Sequence, residues 1–86
     1  MNKLYEYLKE DPIVLSVEKQ NDKIIFSLNL AEISDNKDYL SESEWIAFKN
    51  NFENVLSKDM LGLNVEVDTS GEADNEIISF EVIELL

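Results

Sequence analysis

Cysteine, histidine and arginine are all absent from this 86-residue chain. Without cysteine there can be no disulfide, no zinc–thiolate site and no thiol nucleophile. Without histidine and arginine, catalytic triads, imidazole bases and guanidinium clamps are also lost. Glycine occurs twice and proline once, which argues against a low-complexity chain. No apolar run approaches the roughly 18–20 residues of a membrane span, and the first residues, MNKLYEYLKEDP, lack the apolar stretch of a signal peptide. The expectation is a cytoplasmic protein with no membrane association. An apolar fraction of 44% is ordinary for a folded chain and too high for a disordered one. The length fits one domain, 1–86, with a core large enough for only marginal stability.

Positive charge is the scarcest ingredient of all. Nineteen acids against seven lysines give a net charge of −12. Residues 1–58 hold 11 acids and all 7 lysines, whereas residues 59–86 hold 8 acids and no base, so the last third of the chain carries −8 of the total. Direct nucleic-acid binding is not expected, because phosphate contact depends on lysine and arginine. The natural electrostatic partner is a basic protein surface.

Hydrophobic periodicity gives the element order. Leu4, Tyr7 and Leu8 mark a short helix over Asn2–Glu10, stopped by Asp11-Pro12. Ile13, Leu15 and Val17, then Ile24, Phe26, Leu28 and Leu30, alternate as two strands around an Asn21-Asp22 turn. That turn pairs Gln20 with Lys23 and predicts Val17 opposite Phe26, Leu15 opposite Leu28 and Ile13 opposite Leu30. Residues 31–39, AEISDNKDY, have no clear period and read as a plain connector.

Leu40–Leu61 is the clearest helix. Ser41 and Glu44 form a capping box, Leu40 and Trp45 suit a hydrophobic staple, and Gly62 suits the C′ position. Trp45, Phe48, Phe52, Val55 and Leu56 make one apolar stripe, read as core rather than a ligand box, with Ile46 off the stripe. A second hairpin follows. Leu63, Val65 and Val67 face one way on its first strand, and Ile78, Phe80 and Val82 do so on its second, Ile77–Leu85. The fold class is α+β, ordered α-β-β-α-β-β, with an antiparallel four-stranded sheet and the long helix packed on one face.

The stretch NVEVDTSGEADNE, residues 64–76, holds most of the candidate site. If Val65 and Val67 face the helix, Glu66 and Asp68 point to the open face, where Glu81 joins them alongside Ile77 and Ile83. Glu72, Asp74 and Glu76 crowd the turn. Carboxylates at i and i+2 on a strand lie roughly 6.6 Å apart, which makes a row rather than a chelating knot. Glu66, Asp68, Ser70, Gly71 and Asp74 match positions 1, 3, 5, 6 and 9 of a calcium loop, but Ile77 stands where the bidentate glutamate belongs and the flanks read as strands. No metal site, cofactor or catalytic residue is expected, and carboxylates on an open face lack a pocket to shift their pKa values.

VEVDTSGEADNE and LSESEW, the small size, the missing cysteine and histidine and the α+β layout together give the chain a recognisable character. It resembles the small acidic inhibitors carried by phages and mobile elements, anti-CRISPR proteins and DNA-mimic anti-restriction proteins among them. The resemblance implies a stoichiometric inhibitor, not an enzyme, that blocks the nucleic-acid-binding site of a nuclease or defence effector. Glu66, Asp68, Glu72, Asp74, Glu76 and Glu81 are then the contact residues. An immunity protein or antitoxin that neutralises a basic toxin has the same electrostatics. A structural phage component that self-associates through Ile77 and Ile83 is a third reading; the sequence leaves monomer or homodimer open.

Overall fold

In the computed structural model, residues 2–36, 38–59 and 64–85 are described, with the Asp59 side chain left aside. The order is α1 (Asn2–Glu10), β1 (Val14–Lys19), β2 (Lys23–Asn29), a 3-10 turn (Leu30–Glu32), α2 (Glu42–Asp59), β3 (Val65–Asp68) and β4 (Ile77–Glu84). The fold is thus α+β in the predicted order, and the four strands form one antiparallel sheet ordered β1-β2-β4-β3. Both long strands, β2 and β4, are central. Leu61, Gly62 and Leu63, assigned from sequence to the helix end, its C′ position and the start of a strand, lie outside the described residues.

One apolar cluster holds the layers together. Ile24, Phe26 and Leu28 from β2, Ile78, Phe80 and Val82 from β4, and Val65 and Val67 from β3 are buried with Leu4 and Leu8 of α1 and Leu56 of α2. Both helices therefore cover the same face of the sheet. The α2 stripe supplies the aromatic part of this core. Phe80 lies 4.8 Å from Phe48 and 5.9 Å from Trp45 between ring centroids, and Phe26 lies 5.1 Å from Phe80 and 5.4 Å from Phe52. Such spacings add attraction beyond simple burial. Phe80 is fully buried.

The first hairpin departs from its predicted register. Val17 does sit opposite Phe26, but the pairing shifts between Ser16 and Val14, so Val14 rather than Leu15 faces Leu28. Leu15 is the extra residue of a β-bulge, which breaks the two-residue alternation and leaves two successive side chains turned the same way. Val14 and Val17 pack against the core, whereas Ile13 and Leu15 are exposed. The expectation that both would point inward is corrected. Three aliphatic residues at alternate positions carry no sign of a bulge, and Val14 substitutes for Leu15 with little change of volume.

No helix among the described residues is long and apolar enough to cross a membrane. Truncating the central ring tests the aromatic core: Phe80→Ala should destabilise the fold by about 3–5 kcal/mol in a denaturant melt, since its cavity would touch three rings from two other elements, β2 and α2.

Candidate functional site

Side chains that point away from the helices form the open face. The register places them in rows across the strands. Glu18, Ile25, Glu81 and Asp68 share one row, contributed by β1, β2, β4 and β3 in turn. Lys23, Ile83 and Glu66 form the next row on one side, and Ser16, Ser27 and Ser79 the next on the other. Rows are about 6.6 Å apart and strands about 4.8 Å apart, so neighbouring carboxylates lie within one Debye length at physiological salt.

Glu66 and Asp68 are exposed, as their strand position predicts. Glu81 stands beside Asp68 and is also bridged by Lys23, whose Nζ donates to its Oε1 at 3.1 Å. The sequence reading missed this ion pair. Lys23 follows the hairpin turn and its outward parity was legible, but its partner depended on β4 lying next to β2. Lys23 is the one lysine of this face among the described residues. Lys3 and Lys9 belong to α1 and Lys49 and Lys58 to α2. Outside the two helices stand thirteen acids and three lysines, a net of −10, against −2 within α2 and zero within α1.

The remaining acids gather at the end of the sheet where β3 leaves and β4 begins. Glu72 is exposed and bridges to Tyr39, the Leu40 amide donates to Gly71 at 2.8 Å, and the Ala73 amide donates to Asp38 at 3.1 Å. Residues 38–40 are thereby stitched to residues 71–73. Asp38 and Tyr39, from the stretch read as a connector, are therefore tied to this acidic end, and Asp38 is exposed there, as are Glu32 and Asp35 earlier in the stretch. The pairing is non-local and could not be read from the stretch itself.

Glu44 fixes the same segment. As half of the capping box, it accepts the Ser41 amide at 3.2 Å, while the Glu44 amide donates to Ser41 Oγ at 3.3 Å. Its carboxylate also accepts the Ser41 hydroxyl at 2.6 Å, the Ser34 hydroxyl at 3.0 Å and the Asp35 amide at 3.0 Å. These bonds, led by the Ser41 hydroxyl and the Asp35 amide, favour the charged form and hold its pKa down to about 2.

Asp74 and Glu76 occupy a tight turn. The amide of Asp74 donates to Ile77 at 2.8 Å and that of Ile77 to Asp74 at 3.0 Å, leaving Asn75 and Glu76 with φ of 53° and 68°. A two-residue turn with both φ values positive suits Asn-Gly, and a glutamate there is strained by roughly 1–3 kcal/mol. All the predicted site residues thus lie on the open face or at its acidic end: Glu66, Asp68 and Glu81 on the face, Glu72, Asp74 and Glu76 at the end. One depression on the face, of about 400 Å³, is lined by Ile25, Asp68, Thr69, Ser70, Ser79 and Glu81. Comparison with protein-family models, with curated proteins and with solved structures found no match.

Two outcomes follow from this geometry. Because the folded state holds Glu44 more acidic than the unfolded chain does, its contribution is complete above about pH 4.5 and disappears as pH falls toward about 2. Thermal melts of Glu44→Gln should therefore depend less steeply on pH across that window than wild type, and parallel curves would count against the clamp. Separately, Glu76→Gly should stabilise the protein by roughly 1 kcal/mol in a urea titration, after the added chain entropy of glycine is subtracted from the strain it relieves.

Proposed function

We propose that this protein is a non-enzymatic inhibitor, acting in the cytoplasm, whose acidic open face docks on the basic nucleic-acid-binding site of a nuclease or defence effector. It would act as anti-CRISPR and DNA-mimic proteins of phages and mobile elements do. The observation that carries the reading is the segregation of charge. Glu18, Glu81, Asp68 and Glu66, drawn from three strands, share one face with a single lysine among the described residues, while most lysines belong to the helices behind it.

Duplex DNA presents one negative charge per roughly 1.7 Å of its axis, and a protein need only approach that density to occupy the same groove. The carboxylate rows at roughly 5–7 Å intervals, continued by Glu72, Asp74 and Glu76, supply such a surface over a rigid sheet. Local strain points the same way. A turn that keeps glutamate where glycine would be easier retains a charge at the expense of stability, and contact with a basic partner is a reason for that choice.

Reversing Glu66, Asp68, Asp74 and Glu76 to lysine tests the assignment. Wild-type protein on a resin should retain nucleic-acid-binding proteins from a bacterial lysate at low salt, and duplex DNA should compete them off. The four-fold variant, with an unchanged circular dichroism spectrum, should retain none of them. Retention of the same proteins by the variant would falsify the reading.

A further inference from the structure

The open face is not uniformly acidic, and its apolar residues lie in an order that charge mimicry does not require. Ile83 on β4 is diagonal to Ile25 on β2, because Ile83 pairs with Lys23 and Ile25 with Glu81. Ile25 pairs with Glu18 on β1, and the next outward positions there are Ser16 and the bulge residue Leu15. Ile83 is 42% exposed and Leu15 55% exposed, so each leaves a large part of its side chain open to solvent. Each diagonal step is roughly 8 Å, and the track Ile83–Ile25–Leu15 runs about 16 Å across the sheet. That is about three turns of an α-helix.

Carboxylates border this track. Glu66, Asp68 and Glu81 lie on one flank, and Glu18 lies on the other beside Lys23. The depression lined by Asp68, Thr69, Ser70, Ser79 and Glu81 opens from the richer flank. It offers carboxylate and hydroxyl oxygens to the head of a lysine or arginine.

Resting on the reading of an acidic docking face, the geometry points to a more specific occupant: an amphipathic basic helix of the partner, laid along the Ile83–Ile25–Leu15 diagonal. Its apolar stripe covers the track and its cations reach the flanking carboxylates. Charge complementarity chooses this occupant over a second copy of the chain. Two such faces would bring Glu18, Glu66, Asp68 and Glu81 against one another, with Lys23 the one lysine of the face among the described residues to offset them. Nucleic acid is repelled, and a flexible polycation would leave the isoleucines and Leu15 in water. The bulge in β1 gains a role here, since it turns Leu15 outward to complete the track.

Two synthetic probes separate charge from the track: an amphipathic leucine–lysine helix, and an oligolysine of the same net charge. Binding to wild type, Leu15→Ser, Ile83→Ser and Asp68→Lys would be measured calorimetrically at low and high salt, with two-dimensional NMR reporting the contacts. The amphipathic peptide should shift the Leu15, Ile25 and Ile83 resonances and keep most of its affinity at high salt. It should lose about tenfold on Leu15→Ser or Ile83→Ser, the effect of exposing part of one aliphatic side chain. Oligolysine should bind weakly, vanish at high salt and ignore both serine variants, while Asp68→Lys weakens both probes. Equal binding of the two peptides, untouched by the serine variants, overturns the helix track but leaves acidic docking standing. Failure of both peptides to bind at low salt overturns acidic docking itself. Concentration-dependent dimerisation that shifts the same resonances without peptide makes a second copy the occupant and overturns the proposal.

Discussion

The ring of Phe80 meets Phe26, Phe48 and Trp45, and this contact between β2, β4 and α2 is the one on which the placement of charge depends. A strand presents alternate residues to opposite faces, so seating Phe80 under α2 obliges Ile78 and Val82 to turn inward and Ser79, Glu81 and Ile83 to turn outward. A slip of one residue would bury Glu81 and expose Phe80, at a cost far above any gain in pairing. β3 inherits the same constraint through its pairing of Val67 with Val82 and Asp68 with Glu81. The acidic face is therefore the complement of the aromatic core. Any sequence that keeps the core fixes which carboxylates meet solvent together.

That dependence explains why so much was legible. The helix stripe, the capping box and the outward position of Glu66, Asp68 and Glu81 all follow from periods of 3.6 and 2 in the residues themselves. What escaped was non-local. Sheet order placed β4 beside β2 and so joined Lys23 to Glu81. Pairing of residues 38–40 with 71–73 turned an apparent connector into part of the acidic end. The bulge escaped for a different reason. Ile13, Leu15 and Val17 satisfy a regular strand as well as Val14 and Val17 satisfy a bulged one, so pattern alone favours the simpler solution. The turn at Asn75-Glu76 was obscured because glutamate is not a residue chosen for positive φ.

The energetics of the face set local stability against association. Carboxylates within about 8 Å of one another repel with little help from salt, and among the described residues Lys23 is the one cation of the face to offset them. Glu44 shows the contrasting arrangement. Its charge is satisfied by hydroxyl and amide donors and ties Ser34 and Asp35 to the start of α2. Among the described residues, the carboxylates of the face meet few donors: Lys23 bridges Glu81, and the Thr69 amide donates to Asp68 at 2.8 Å. Their repulsion is relieved when cations approach. A partner that brings those cations gains from relief of strain already present in the free protein, and pre-organisation by the rigid sheet spares the entropy of assembling the charges.

In the proposed docking, charge and apolar surface would divide the work of binding. Long-range attraction raises the rate of encounter and weakens steeply with ionic strength, whereas desolvated contacts govern how long a complex lasts. A face of carboxylates alone would meet basic surfaces quickly and leave them as quickly at cellular salt. The exposed Leu15 and Ile83 change the second of these, because their burial is indifferent to salt. Alternation along β4 places Ile83 two residues from Glu81, and the bulge of β1 brings Leu15 round to the same face, so in the proposed docking the slow step and the fast step would use one surface. In the proposed docking, selectivity would arise from the same overlap: polyanions would be rejected by charge, simple polycations would lack the apolar stripe, and apolar surfaces without cations would leave the carboxylates unpaired.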